Sequence, residues 1–430
     1  MDTPMNEETT VADHGAETTR TPIVREIDET ELADWARAYN SGNFLPQRPG
    51  AADRHRQVFE PGRWLAAYEG PRCVATLRGL ALDVSVPGGA ALPAAGVSSL
   101  SVVPTHRRRG LMKALMTHAL RAAAARGEAA AVLHSAEYPV YGRYGFAPVT
   151  RHGGFAVDVT AARGLRPGPV GTGELRHASM EDIRRWGPAL FDRARRTRPG
   201  AVSRSDRHWL RRTGGTAPAE ADRVEPTAVV HHDADGRPSG LLLYRVDGKW
   251  TDGVPDSTLT VSDLIATTPE ALRALWGHLL ALDWIRRIEV PDAAPDDPLP
   301  LLLVNARAVR PLPGPADCLW LRLLDLPAAL AARTYPAAGA LVLQVADEGG
   351  YVGGRWRLDA AADGSGRAAP TDDPADLALD AAALAALYLG GESASRLAAA
   401  GLVAELRPGA LRTADTLFPV PVAPWCPDHF

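Results

Sequence analysis

Residues Val97 to Met116 read VSSLSVVPTHRRRGLMKALM. The first half predicts a strand, because Leu100, Val102 and Val103 are apolar and two of them are β-branched. Pro104 ends the ladder, having no N–H to donate. Thr105 is placed to cap the next helix. Arg107, Arg108, Arg109 and Gly110 form a turn, and an apolar helix is predicted from Leu111 to about Ala125. A glycine at a helix mouth lets a ligand approach the backbone closely. Free N–H groups and the positive dipole end favour an anion there. The three arginines add charge-assisted hydrogen bonds suited to phosphate. The chemistry points to a pyrophosphate cradle at a strand-to-helix turn. A solvated basic turn before a core helix would give the same pattern.

Strands precede this stretch. Ile23 to Ile27 reads as a short strand, and Asp28 or Thr30 can cap a helix with Leu32, Trp35, Ala36 and Tyr39 on one stripe. Arg63 to Tyr68 and Arg72 to Leu82 read as a meander broken at Glu69-Gly70-Pro71, and Gly88-Gly89 is a turn. After the helix, Gly127 is a stop and Ala130 to His134 the next strand. Then comes Tyr138-Pro-Val-Tyr141-Gly-Arg-Tyr144-Gly-Phe146.

Downstream, Arg163 to Gly173 is rich in Gly and Pro and reads as a linker. Leu241 to Val246, Leu259 to Ile265 and Trp284 to Val290 are predicted strands, with a helix capped by Thr268 and opened by Pro269 before the last. This repeats the strand-helix-strand rhythm without any Arg/Gly turn. A third unit begins at about Asn305, with strands at Cys318–Leu324, Leu341–Val345 and Arg355–Leu358 and helices capped by Asp380 and Ser393. The chain closes on PVPVAPWCPDHF, stiffened by Pro419, Pro421, Pro424 and Pro427. Stiffness lowers the entropy lost on docking, and Trp425 and Phe430 supply area to dock with.

Composition bounds the function. With 430 residues, two or three domains are expected. The formal net charge of -4 implies no polyanion partner, which argues against nucleic acid. Cys73, Cys318 and Cys426 are far apart and form no CxxC, so neither a disulfide framework nor a metal site is indicated. Residues 1–20 are polar and acidic with no apolar core of a signal peptide, and no run is long enough to span a bilayer. The expectation is a cytoplasmic protein with a disordered leader and no membrane insertion. Glu26, Asp28, Glu29, Glu31 and Asp34 cluster near the first helix, a pattern that is usually a solvated face.

The Arg107-Arg108-Arg109-Gly110 turn after a strand resembles the R-x-x-G-x-G/A coenzyme loop of the GNAT superfamily of N-acetyltransferases. Met112 stands where Gly or Ala is usual. The wider text LPAAGVSSLSVVPTHRRRGLMKALM, Y-x-x-x-G-F at Tyr141–Phe146 and the P-W-C-x-x-x-F ending are similar to the Eis (enhanced intracellular survival) branch, which tolerates a large apolar residue at that position. The resemblance spans about Ile23 to Phe430. It implies an α+β, mixed α/β architecture: tandem GNAT-like domains at 21–162 and 174–304, the second degenerate, then a sterol-carrier-protein-like domain at 305–430. It implies acetyl-coenzyme A as co-substrate and a small-molecule amine acceptor such as an aminoglycoside, a polyamine or lysine. It also implies a homo-hexamer.

By the same resemblance, Arg107, Arg108, Arg109 and Gly110, with Leu111 and Met112 at the helix start, bind the coenzyme. Leu100, Ser101 and Val102 carry the pantetheine arm. Tyr141 protonates the leaving thiolate as general acid, although packed aromatics with wet hydroxyls would look alike. The Phe430 carboxylate, with an ordinary pKa of about 3.3–3.7, accepts the amine proton. The alternatives are a non-catalytic lipid-binding protein using the third domain, and a coenzyme A-binding regulator.

Overall fold

The computed structural model describes residues 22–169, 171–215, 225–314 and 316–430. The expected leader at 1–20 lies outside them. The chain forms two compact units, one built from the described residues up to Leu77 with Ser99–Leu115, the other from Arg78–Ser98 and Met116–Phe430. The strands Arg72–Ser85 and Ala91–Val102 run through both.

In the first unit Ile23–Glu26 pairs antiparallel with Trp64–Glu69. Asp28 makes a capping box with Glu31 ahead of the helix Leu32–Gly42. The predicted stripe turns inward: Leu32, Trp35 and Ala36 are buried, and the Trp35 ring lies 4.6 Å from Trp64. The acidic residues are used locally. Glu31 pairs with Arg25, Asp34 with Arg37 and Glu29 with Arg56.

In the second unit Ala94 of the Ala91–Val102 strand pairs parallel with Ala130 of Ala130–His134. A parallel pair needs a crossover, and the helix Leu111–Ala125 supplies it. A second sheet repeats this device: Ser257–Ala266 and Ile285–Val290 are parallel, joined through the helix Pro269–Ala281. Thr268 caps that helix, accepting from the Ala271 N–H at 3.1 Å. A third sheet takes the order Gly366–Pro370, Gly354–Ala360, Gly339–Ala346, Leu377–Asp380, Val403–Glu405. Its interior is filled by Leu343, Leu358, Leu384, Tyr388 and Phe418, all buried.

Strand pairing departs from the order expected along the chain. The Cys318–Leu324 strand was expected in the third unit. Instead Leu319–Leu323 pairs with Ala130–His134 on one side and Ala147–Pro148 on the other. All five of its residues are buried, and such a strand needs cover on every side. Conversely Phe155–Asp158 leaves the first sheet and pairs with Ile285–Val290 and Val309–Pro311 of the second.

Burying Leu319–Leu323 also buries Arg322, and a dry guanidinium needs a partner. Its Nη2 donates to both carboxylate oxygens of Asp347, at 2.6 and 2.7 Å. Burial alone would raise the Asp347 carboxyl, but Arg322 and backbone N–H groups hold it below the usual range. A depressed carboxylate stabilises the fold above its unfolded pKa of about 3.9 and ceases to do so as pH falls through the lower folded value. Asp347→Ala leaves Arg322 uncompensated and is expected to cost about 3–5 kcal/mol by urea unfolding at neutral pH. The difference from the unmodified chain should shrink on acidification below about pH 4. A variant as stable as the parent at pH 7 would remove this pair from the account.

Candidate active site

The Arg/Gly turn belongs to the first unit. Pro104–His106 forms a short 3-10 turn, and the Thr105 hydroxyl meets His106 Nδ1 at 2.8 Å. Thr105 therefore does not cap the helix, contrary to expectation; its hydroxyl is taken up locally. Arg108 and Gly110 both adopt left-handed backbone, with φ of 62° and 78°. A Cβ on Gly110 would meet nothing within 4 Å, so glycine answers a conformational demand and the space before the helix is open.

The three arginines differ. Arg107 Nη2 donates to the Gly42 carbonyl at 2.8 Å, and its guanidinium lies 5.1 Å from the Phe44 ring centroid. Arg109 donates to Glu69 at 2.6 Å, and Glu69 also meets His106 at 2.9 Å. Arg108 is exposed and makes no ion pair among the described residues. Leu111 is buried and Met112 half-buried behind the turn. Leading into it, Ser99 has φ 52°, a break in the strand, and its carbonyl accepts from Thr76. Leu100 and Val102 are half-buried beyond the break, and the buried Ser101 hydroxyl has no partner.

Tyr141 lies in the second unit, at the end of the helical turn Tyr138–Tyr141. The 3-10 turn after it closes on Gly145 at φ 77°, which delivers Phe146 into the core. The Tyr141 ring is 6.3 Å from Phe146 and 6.5 Å from Trp320. Burial, then Glu137 and Tyr144, raise its pKa, so the phenol keeps its proton at neutral pH.

The C-terminal tail, also in the second unit, is docked. Trp425 N–H donates to the Pro199 carbonyl at 2.9 Å, and Ala423 N–H to Asp296 at 2.9 Å. Asp428 is the anchor. It accepts from Arg204 Nε at 2.8 Å and from Arg212 at 2.8 Å, and it lies 3.1 Å from His208. Arg204 also binds Asp263 at 2.6 Å and stacks 3.8 Å over Phe191. The Arg204 and Asp428 side chains are 1% and 2% exposed. Burial would raise the Asp428 carboxyl; Arg204, His208 and Arg212 hold it well below the usual range. Past the anchor, the Phe430 ring sits edge-on to His134 at 4.8 Å. Gly96 makes room for it: a Cβ there would lie 3.3 Å from the Phe430 ring and 2.6 Å from Leu82.

His134, beside Phe430, is the last residue of Ala130–His134, and the preceding Leu133 is paired with Trp320, a ring neighbour of Tyr141.

The sequence matches what this geometry suggests. Profiles for the acetyltransferase (GNAT) domain match residues 23–149 and 200–323, and a sterol carrier protein domain profile matches 326–427. An uncharacterised N-acetyltransferase of Streptomyces avermitilis is 45% identical over 415 residues, covering 95% of this chain and 98% of the relative. N-acetyltransferase Eis of Mycobacterium tuberculosis is 37% identical over 344 residues, covering 78% and 81%. The crystal structure of Eis1 from Mycobacterium abscessus superposes with TM-score 0.82 at 34% identity, over 95% of this chain and all of that one. The chain belongs to the Eis family of N-acetyltransferases. It is an acyltransferase of mixed α/β fold, with two GNAT domains and a sterol-carrier-like domain.

The second GNAT repeat of this Eis-family chain has no Arg/Gly turn before its helix Pro269–Ala281. Where the first carries arginines, it has Thr268, Pro269 and Glu270. The Thr268 side chain takes one free N–H, Pro269 has none, and Glu270 repels an anion. Sequence reasoning missed the tail's anchor, Asp428, and its receptor, Arg204, Arg212 and Asp263. Those residues carry no spacing signal, since their partnership forms only in three dimensions. It also found no His/Cys cluster, whereas folding brings Cys318 Sγ to 3.9 Å from His134 Nδ1 and seats His429 against Asp292 at 3.4 Å.

Two substitutions probe the docking. Asp428→Ala strips the buried arginines of a carboxylate and should destabilise the protein by about 3–5 kcal/mol in urea unfolding. Gly96→Val overpacks the space beneath Phe430 and should cost about 1–3 kcal/mol. Unchanged stability in both would mean the tail is not seated as described.

Proposed function

We propose that this chain is an acetyl-coenzyme A-dependent N-acetyltransferase that modifies amines of the aminoglycoside, polyamine or lysine type. The observation that carries this reading is the exposed Arg108 beside the left-handed Gly110 at a helix mouth, an arrangement made for a diphosphate. Arg107, Arg108 and Gly110 would grip the pyrophosphate, with Arg109, Leu111 and Met112 completing the turn. The backbone of Leu100–Val102 would hold the pantetheine arm and the thioester oxygen. The acceptor nitrogen attacks the acetyl carbon, so a C–N bond forms and the C–S bond breaks. The Phe430 carboxylate takes the proton lost by nitrogen, and the Tyr141 phenol gives one to sulfur. The raised pKa of Tyr141 supports its part, because an acid must still hold its proton when needed. A cytoplasmic homo-hexamer belongs to the same reading.

A lipid carrier is less well supported. The third sheet's domain has a filled interior. A cavity of about 890 Å³ flanks it, lined by Phe146, Val149, Trp320 and Leu397 together with Asp317 and Glu392, which gives no feature specific to a lipid.

Thiol release from acetyl-coenzyme A across a panel of aminoglycosides, polyamines and lysine peptides tests the activity; no turnover with any acceptor would sink it. Within an active enzyme, Arg108→Ala should raise the Michaelis constant for acetyl-coenzyme A, each lost charge-assisted contact being worth about 1.5–3 kcal/mol. Tyr141→Phe should lower turnover about 10²–10⁴-fold with coenzyme binding intact. A C-terminal extension turns the Phe430 carboxylate into an amide and should abolish most turnover, whereas Phe430→Leu should retain more. An extended enzyme as active as the parent would exclude the terminal carboxylate as base.

A further inference from the structure

His134, Cys318 and His429 come from the end of one strand, the edge of another and the docked tail. Their ligand atoms all lie within 4.8 Å of one another. We propose that they form a binding site for a borderline divalent cation, Zn²⁺ above all, that ties the C-terminal tail to the first sheet. The site is independent of which group serves as the base.

Two observations carry it. The donor set is one cysteine sulfur, which gives up its proton on binding a metal, and two imidazoles, which suits Zn²⁺ and Co²⁺ and disfavours Mg²⁺ and Ca²⁺. The geometry is close to what the ion needs. Bonds of about 2.0–2.1 Å to nitrogen and 2.3 Å to sulfur at the tetrahedral angle put donors roughly 3.3–3.6 Å apart. Cys318 Sγ and His134 Nδ1 are already 3.9 Å apart, and the His134 and His429 ring centroids are 4.6 Å apart. His429 is exposed and can swing the remaining distance, while Cys318 is buried and His134 half-buried, so two of the three ligands are held in place.

A rival trio, His152, Asp292 and His429, shares one ligand with this site. Closing the first site would take His429 away from Asp292, which it meets at 3.4 Å. The rival trio lacks a sulfur. The first trio has the stronger claim on the metal. With three protein ligands, the fourth position stays open to water or to a small ligand.

The test is titration of the full-length, untagged protein with Co²⁺, and then displacement with Zn²⁺. The expected result is one Co²⁺ per chain, with tetrahedral visible bands and a thiolate-to-cobalt charge-transfer band that Zn²⁺ abolishes. Zn²⁺ should also raise the melting temperature. Cys318→Ser should remove the charge-transfer band, and His134→Ala and His429→Ala should each weaken binding at least tenfold. Because Cys318 is buried, its variant is read only if its melt without metal matches the parent. His429→Ala, at an exposed position, gives the independent reading. Asp292→Asn and His152→Ala should leave the band intact. No charge-transfer band in the parent, a band that survives Cys318→Ser, or binding lost with Asp292→Asn but kept in His134→Ala would each overturn the site.

Discussion

The buried pairing of Arg204 with Asp428 is the contact on which the arrangement of the second unit turns. A guanidinium shut away from water is expensive, and two carboxylates, Asp263 and Asp428, share the task of compensating it. Asp263 comes from the second sheet and Asp428 from the tail, so the arginine cannot be satisfied unless the tail is home. The Phe191 ring against the same guanidinium removes the alternative of a half-solvated arginine. Pro424 and Pro427 flank the anchored segment and narrow the conformations that compete with docking. Charge two residues before the end thus fixes the path of the last residues and places the terminus with them.

The exchange of strands between the sheets has a comparable effect. Leu319–Leu323 completes the first sheet, and Phe155–Asp158 joins the second. Neither GNAT repeat closes its core without a segment lying beyond its own stretch of sequence. The Ala130–His134 strand then sits between a parallel neighbour and an antiparallel one. At its C-terminal end the tail's aromatic ring and the sulfur of Cys318 both meet His134.

Local chemistry was legible in the sequence, and pairing was not. The helix Leu111–Ala125, the capping residues Asp28, Thr268, Asp380 and Ser393, and the stops at Gly127 and Gly390 are decided within a few residues and could be read directly. So could the stiff, aromatic tail. Cys318–Leu324 was recognisable as a strand, but a wholly apolar run says nothing of which sheet will take it. Thr105 had two short-range partners open to it, and the nearer one, His106, won. Arg204 stands in a run of arginines, RSDRHWLRR, that reads as a solvated face. Only the fold shows that one of them is dry. Nothing in the sequence marks Gly96, whose purpose appears once Phe430 is seen against it.

The proposed chemistry explains why such firm docking is worth its entropy. A terminal carboxylate has an ordinary pKa of about 3.3–3.7, far below that of the ammonium it would deprotonate. As a Brønsted base at neutral pH it is feeble, and its ionised form is always available but poorly matched to the task. A weak base compensates by position, since holding reacting groups in place can supply as much as about 7–11 kcal/mol of a barrier. The phenol of Tyr141 is the mirror case, a weak acid made weaker by burial. The phenol is shifted away from neutrality, unlike the tuned acids and bases of many active sites. A site built from these two groups, as proposed, would depend on geometry for its rate. For the Phe430 carboxylate that geometry would rest on a buried arginine and a glycine beneath a ring.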